Sequence, residues 1–331
     1  MKVSGGKLRL LYVLDILKKY SDEEHPLSSS DIIQKLDSHD IKSDRKALYD
    51  DISVLTSYGY DIIYTRTPKN GYFLGERELE FAELSLLADA VVSADFITAK
   101  KTAELTKKLS CFLSEHQRKT FSGRIFTEKR AKSDNEELYY TVDKLLRAID
   151  DRKMVALTYN KRTFENGKAK LVAKQHTISP YALCWVDDHY YLIGNNAKYD
   201  NLLHLRIDRI NKVEILKDNY RPFSEVSPYK DYFDVADYTG KVFNMYGGEQ
   251  SKIELICDND LLEQVIDRFG DNPTILPFDQ NRFLLIVDTM ISKGLIAWLM
   301  QFSGGITVKS PQKLKEDVVN AAQRIIKSHN A

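Results

Sequence analysis

The chain has 331 residues, with 48 Lys plus Arg set against 48 Asp plus Glu, and is 43% hydrophobic and 29% charged. That length supports two or three packed domains, and the zero net charge excludes a global electrostatic pull toward nucleic acid, membrane or an acidic polymer, so any such partner is met by a local patch. Cys111, Cys184 and Cys257 form no CxxC or Cys/His spacing, which argues against a disulfide framework or structural zinc and fits a reducing cytoplasm.

At the amino terminus Lys2, Lys7 and Arg9 precede the apolar run 10–17 and imitate a signal peptide, but Asp15 interrupts that run and Lys18-Lys19 follow it. With Leu10, Leu11, Leu14 and Leu17 at helical spacing, the segment reads as a first amphipathic helix. No stretch elsewhere nears the roughly 18 apolar residues of a membrane span. Hydroxyl caps at 28–30 open a second helix over 31–36, and Ser43-Asp44 open a third that runs to a stop at Gly59. Two β-rich runs, 62–64 and 72–74, then flank Asn70-Gly71, a hairpin signal. Three helices and a hairpin predict a winged helix-turn-helix over 1–76.

Residues 77–135 read as a helical connector, with Leu84, Leu87, Ala88 and Val91 on one face, Leu105, Leu109 and Phe112 on another, and a break near 96–98. A helix over 138–149 leads into short β-rich runs from Met154 to Leu216, separated by turns such as Asn166-Gly167 and Asp187-Asp188, as in a small barrel or strongly bent sheet over 136–222. Residues 223–240 read as a linker. The segment 241–331 gives strand, helix, strand, strand, helix, strand and a final helix, the order of a ferredoxin-like split βαβ unit. The fold class is therefore α+β and multidomain.

On the third helix, Leu48, Ile52 and Leu55 share the inner face, while Lys46, Tyr49 and Ser53 point outward, with Arg45 on the flank and Ser43 near the tip. In a helix-turn-helix this helix enters the major groove, which makes Ser43, Arg45, Lys46 and Tyr49 the candidates for operator contact, with Arg66 and Lys69 of the wing on flanking phosphates. Residues 1–75 hold 11 basic and 11 acidic residues, and Asp44, Asp50 and Asp51 stand on the helix itself. One copy is expected to bind DNA weakly, so a homodimer on a two-fold operator is expected.

Residues 141–221 carry 15 basic and 10 acidic residues, interleaved with Tyr159, Tyr181, Trp185, Tyr190 and Tyr191, a composition suited to stacking bases beside phosphates. In the run 203–208, period-two alternation sets His204, Arg206 and Asp208 apart from Leu203, Leu205 and Ile207. The same composition also fits tyrosines filling sheet faces and an Arg206–Asp208 surface pair. No Walker-type loop, HExxH pair, GxSxG elbow or clustered carboxylates suited to two metals mark an enzyme, a metal site or a cofactor. Trp298 reads as a core anchor on an amphipathic helix, and Gly304-Gly305 as a helix stop.

The blocks Ser179-Pro180-Tyr181-Ala182-Leu183-Cys184-Trp185, Tyr190-Tyr191-Leu192-Ile193-Gly194 and His204-Leu205-Arg206-Ile207-Asp208-Arg209-Ile210 together closely resemble the core of the WYL-domain family of bacterial transcription regulators. The Trp-Tyr-Leu signature stands here as Tyr190-Tyr191-Leu192. Residues 44–52 resemble the family's recognition helix, with Asp50 where many relatives place an Arg. The stretch 243–248, Asp267-Arg268-Phe269-Gly270 and Trp298 resemble its carboxy-terminal WCX extension. The resemblance implies a transcription regulator that binds a double-stranded operator. Its WYL domain would be an Sm-like β-barrel that senses a nucleotide or single-stranded nucleic acid, and occupancy would change the spacing of the two winged helices. The effector-facing residues it implies are Tyr191, Arg206 and Arg209, joined through adjacency and strand phase by Ser179, Tyr181 and His204. The alternatives are a nucleic-acid-binding accessory or interaction protein, or a nucleotide-processing enzyme.

Overall fold

The computed structural model describes residues 5–124, 132–270 and 273–330; part of the expected connector, 125–131, lies outside the described residues. The chain divides into two compact units, Met1–Asp134 and Asn135–Ala331.

The first unit begins with helices α1 (Gly5–Tyr20), α2 (Ser29–Asp37) and α3 (Arg45–Tyr58), then strands β1 (Ile62–Thr65) and β2 (Gly71–Leu74). Ser28 caps α2 in a reciprocal capping box with Asp31, Asp44 caps α3 by accepting from the Ala47 amide, and Gly59 ends α3 in the left-handed conformation at φ 119°. Val13, Ile16, Leu17, Ile32, Leu36, Leu48, Ile52 and Leu55 form one buried core. The α1 stripe is rotated from the expected one, because Val13 and Ile16 turn inward while Leu11 stays 62% exposed.

The β1–β2 loop is longer than a two-residue turn: Thr65 pairs with Gly71, so residues 66–70 form the loop and Gly71 begins the returning strand. A different contact requires glycine there. Leu27, between α1 and α2, pairs with Tyr72 through both main-chain hydrogen bonds (2.7 and 2.8 Å), and a Cβ on Gly71 would stand 2.7 Å from the Leu27 carbonyl carbon.

Helices α4 (Phe81–Ser93), α5 (Ala99–Ser110) and α6 (Glu115–Arg124) follow, breaking near 96–98 as the pattern expected. Their inner faces are narrower than expected: Leu84 and Ala88 are buried, but Leu87 and Phe112 are over 40% exposed, and α5 buries Thr102 and Thr106 instead. Arg77 ties this part to α1 by donating to the carbonyls of Lys18 (3.0 Å), Ser21 (2.6 Å) and Phe112 (3.2 Å).

In the second unit α7 (Leu138–Asp150) packs on a five-stranded antiparallel sheet of β3 (Lys153–Glu165), β4 (Lys168–Val186), β5 (His189–Asn195), β6 (Leu202–Arg206) and β7 (Ile210–Asn219), in the order β6-β5-β4-β3-β7. Residues 168–186 form one long strand, β4, in place of separate short runs, with a register shift between Pro180 and Ala182. A 3-10 turn, Ile207–Arg209, links β6 to β7 at the opposite edge and touches β3 and β5.

The expected linker 223–240 is packed structure. Val226, Phe233 and Tyr238 are buried with Tyr181, Met245 and Met290, and α8 (Val235–Lys241) begins inside the segment. Four aromatic residues, Phe223, Tyr229, Phe233 and Tyr238, carry too much apolar area to leave in water. The chain then forms β8 (Glu249–Asp258), α9 (Leu262–Phe269), β9 (Thr274–Pro277), β10 (Arg282–Ile291), α10 (Lys293–Met300), β11 (Ile306–Ser310) and α11 (Gln312–His329), with all neighbours in the sheet β11-β8-β10-β9 antiparallel. Trp298 anchors this region, its ring within 5.5 Å of those of Phe243, Phe269 and Phe302.

The close approach at Gly71 is open to test. Gly71→Ala is expected to lower the stability of the full chain by about 1–3 kcal/mol in urea unfolding, because the new methyl meets main chain that cannot step aside, and to increase amide exchange at Leu27 and Tyr72.

Candidate nucleic-acid interfaces

In the first unit, burial of Leu48, Ile52 and Leu55 turns the opposite side of α3 to solvent. Arg45 and Lys46 are exposed on its first turn and Tyr49 is half exposed. Ser43 is partly exposed, its hydroxyl donating to the Asp44 carbonyl at 3.3 Å. Ser43 and Arg45 also line a surface groove with Ser30, Gln34 and Lys42. In the hairpin loop Arg66 and Lys69 are both exposed, and Lys69 lies 3.5 Å from Asp31.

The three acids of this helix are not equivalent. Asp44 is committed to the cap, and Asp51 is buried and held by Arg9 in a two-pronged pair (Nε–Oδ2 2.5 Å, Nη2–Oδ1 3.1 Å). The hydrogen bond to Asp51 raises the Arg9 pKa, outweighing the opposing effect of burial. Asp50 projects from the exposed face, and Asp44 is exposed at the helix tip. Sequence reasoning also missed an aromatic surface: Tyr72 lies between Tyr49 (6.4 Å) and Tyr64 (5.0 Å), joining helix face to hairpin. The signal was available, since Tyr64 and Tyr72 are cross-strand partners.

In the second unit, Tyr191 of β5 pairs with Arg206 of β6. Arg206 sits at the strand end, 23% exposed at its side chain, and forks onto Asp208 in the following turn (Nε–Oδ1 3.0 Å, Nη2–Oδ2 2.7 Å). Its Nη1 donates to His189 Nε2 at 2.7 Å, so His189 carries its proton on Nδ1, a buried atom with no hydrogen-bond partner. Burial opposes the Arg206 charge, but the hydrogen bond and ion pair with Asp208 prevail, and the pKa is raised. Burial likewise pushes the Tyr191 phenol up, so it stays a neutral hydroxyl. Arg209 is exposed in the same turn, and Tyr159 of β3 pairs with Ile210 directly after it. The structure thus gathers Tyr191, Arg206 and Arg209, and adds His189 and Tyr159. His189 was legible as the residue two before Tyr191 on the same strand.

The other three expected effector residues are engaged elsewhere. Ser179 is fully buried and its hydroxyl accepts from the Arg221 amide (3.0 Å), while the Tyr181 hydroxyl donates to the Arg221 carbonyl (2.6 Å). Both hold the main chain where it leaves β7. His204 bonds through Nδ1 to the Met245 carbonyl (2.7 Å) and through Nε2 to the Tyr238 hydroxyl (2.8 Å), tying the sheet to the segment after it. Strand phase put His204 on the correct face, but that face is covered by the packed segment 223–245.

Residues 140–215 match the model of the WYL domain. The chain therefore carries a WYL domain over those residues. Among curated proteins none matches the chain. Among solved structures, proteasome accessory factor B/C (PafBC) of Arthrobacter aurescens is similar at 16% identity and a TM-score of 0.30, covering 94% of this chain. The chain spans 47% of the length of that PafBC chain. A CRISPR Cas-related protein is similar at 13% identity and a TM-score of 0.35, covering 99% of this chain and 84% of its own. These values are too low for either structure to carry the assignment. The WYL match spans the sheet that holds Tyr191, Arg206 and Arg209. Among the described residues no cluster of three or more His, Cys, Asp or Glu is arranged for a metal ion, and no helix is long and apolar enough to cross a membrane.

The buried His204 gives the WYL unit a pH dependence. Burial pushes its pKa down to about 4 from the ordinary 6.5, outweighing the bond to the Met245 carbonyl. The unfolded chain therefore binds the extra proton between those values, and stability falls as pH drops through that window, by about 3 kcal/mol in total. Urea unfolding of the second unit at pH 7 and at pH 4 should show this loss, and His204→Gln should flatten most of it.

Proposed function

We propose that this WYL-domain protein is a cytoplasmic transcription regulator, in which the three helices and hairpin act as a winged helix-turn-helix on double-stranded operator DNA. In this reading the five-stranded sheet acts as an Sm-like barrel that senses a nucleotide or single-stranded nucleic acid. The observation that carries it is the cluster within the WYL domain, where a guanidinium is forked in place beside an imidazole and a neutral phenol. A positioned guanidinium grips phosphate and an aromatic face accepts a base. The sheet order supports the barrel, because its two edge strands are joined by a short turn that closes one side. The order β11-β8-β10-β9 supports a ferredoxin-like fold for the carboxy-terminal WCX region.

The exposed first turn of α3 supports the DNA reading. Arg45 and Lys46 stand at the end of the helix that reaches base edges and phosphates in such motifs, and Asp44 and Asp51 are spent on capping and on Arg9. A homodimer on a two-fold site supplies the remaining affinity. In this reading the protein binds and does not turn over its effector.

Gel-shift titration of the protein's own promoter DNA tests the division of labour. Arg45→Ala and Lys46→Ala are expected to weaken binding by about 1–3 kcal/mol where the side chain reads a base, or to lower the salt slope by about one where it neutralises a phosphate. Arg206→Ala is expected to spare DNA binding and abolish the response to added oligonucleotide. No salt-dependent shift by the unmodified protein, or an equal loss of DNA binding in Arg206→Ala, would contradict the proposal.

A further inference from the structure

The β3–β4 hairpin outgrows the sheet that contains it. The last residue of β3 paired with β7 is Tyr159, and β4 pairs with β5 only from Ser179 onward. Between these limits the two strands continue alone, from Asn160 opposite Ala173 to Glu165 opposite Lys168. Asn166 (φ 52°) and Gly167 (φ 74°) close the ribbon with the two left-handed residues of a tight hairpin turn. A two-stranded ribbon gains little stability on its own and exposes two edges. This one persists as a strongly charged arm: residues 159–174 hold Lys161, Arg162, Lys168, Lys170 and Lys174 against the single acid Glu165.

The register sorts these charges. Tyr159, Lys174, Lys161, Val172, Thr163 and Lys170 share one face, while Arg162, Leu171 and Phe164 share the other. The first face starts beside the Arg206 cluster. Tyr159 pairs with the residue after Arg209, and its hydroxyl and that of Tyr191 lie within electrostatic reach of the Arg206 guanidinium. The His176 ring stands edge-on to Tyr159 at 6.3 Å, opposite Leu157 on that same face. Lys161 and Lys174 are exposed, and Lys170 is held only by an exposed pair with Glu165 at 3.5 Å, which costs little to break. From Tyr159 to the tip the row runs about 20 Å, with side chains of one face about 7 Å apart.

We infer that this ribbon extends the effector site and carries successive phosphates of a single-stranded polynucleotide, so that the effector is a strand several nucleotides long. A mononucleotide held at Arg206 leaves the lysines without a partner, whereas a strand leaving Arg206 over Tyr159 brings one phosphate after another across them. Rings at the start of the row favour unpaired bases, because a duplex keeps its bases stacked on one another. The inference rests on the reading of the WYL sheet as a nucleic-acid sensor.

The test is fluorescence anisotropy of the full chain with labelled oligothymidylates of three, six and twelve nucleotides, using the unmodified protein, the double variant Lys161→Glu/Lys174→Glu, and Arg206→Ala. The expected result is affinity that rises at least tenfold from the shortest to the longest strand, and a double variant in which that gain is lost. Its salt slope on the longest strand should fall by about 1.4, two phosphates at about 0.7 each. Thermal unfolding confirms that the variant is folded. If strand length makes no difference, or the double variant keeps the length dependence, while Arg206→Ala still abolishes binding, the ribbon inference is overturned and the sensor reading stands. Equal competition by duplex DNA overturns the single-stranded occupant. If the unmodified protein binds none of the strands, the sensor reading fails and the inference falls with it.

Discussion

A guanidinium cannot be taken half out of water alone, and the organisation of the WYL sheet follows from how Arg206 meets that constraint. Its partner stands two residues on, in the 3-10 turn, so the Arg206–Asp208 fork joins the end of β6 to the turn that carries the chain across to β7. The same turn presents Arg209 and lies against β3, where Tyr159 enters the cluster. One ion pair thus braces the turn that links the two edge strands and aims the remaining nitrogen of Arg206 at His189. A guanidinium so braced is pre-organised, which lowers the conformational cost of gripping an anion.

Charge placement gives a neutral chain two local basic surfaces. In the first unit Asp51 of α3 is sealed against Arg9, while Asp44 stays exposed at the helix tip and accepts the Ala47 amide. The lysines of the ribbon stand where no strand covers them. Neither arrangement shows in the net charge, because each depends on which residues are paired off and which are left facing water.

Much of this was legible in the residues. Leu48, Ile52 and Leu55 mark the inner face of α3 by their spacing, Gly59 marks its end, and the aromatic signature leads to the sheet that carries Arg206. The failures share a physical cause, in that local patterns do not say what comes to lie on a face. His204 stands on the expected side of its strand, yet the segment after the sheet covers it. Ser179 and Tyr181 were chosen by adjacency and hold Arg221 instead. The segment 223–240 looked like a linker because it lacks regular periodicity, while its aromatic residues find partners only in three dimensions. The ribbon escapes for the opposite reason: residues 160–174 carry no apolar alternation to mark them as strand, and only the Asn166-Gly167 turn points to it.

In the proposed reading, nucleic acid is sensed at the cluster around Arg206. A crystal structure of the full chain with a single-stranded oligonucleotide tests it most directly. The expected result is a phosphate within hydrogen-bond distance of the Arg206 guanidinium, the Asp208 fork intact, and a base against the ring of Tyr191 or Tyr159. A strand bound elsewhere, with Arg206 and His189 untouched, would contradict it.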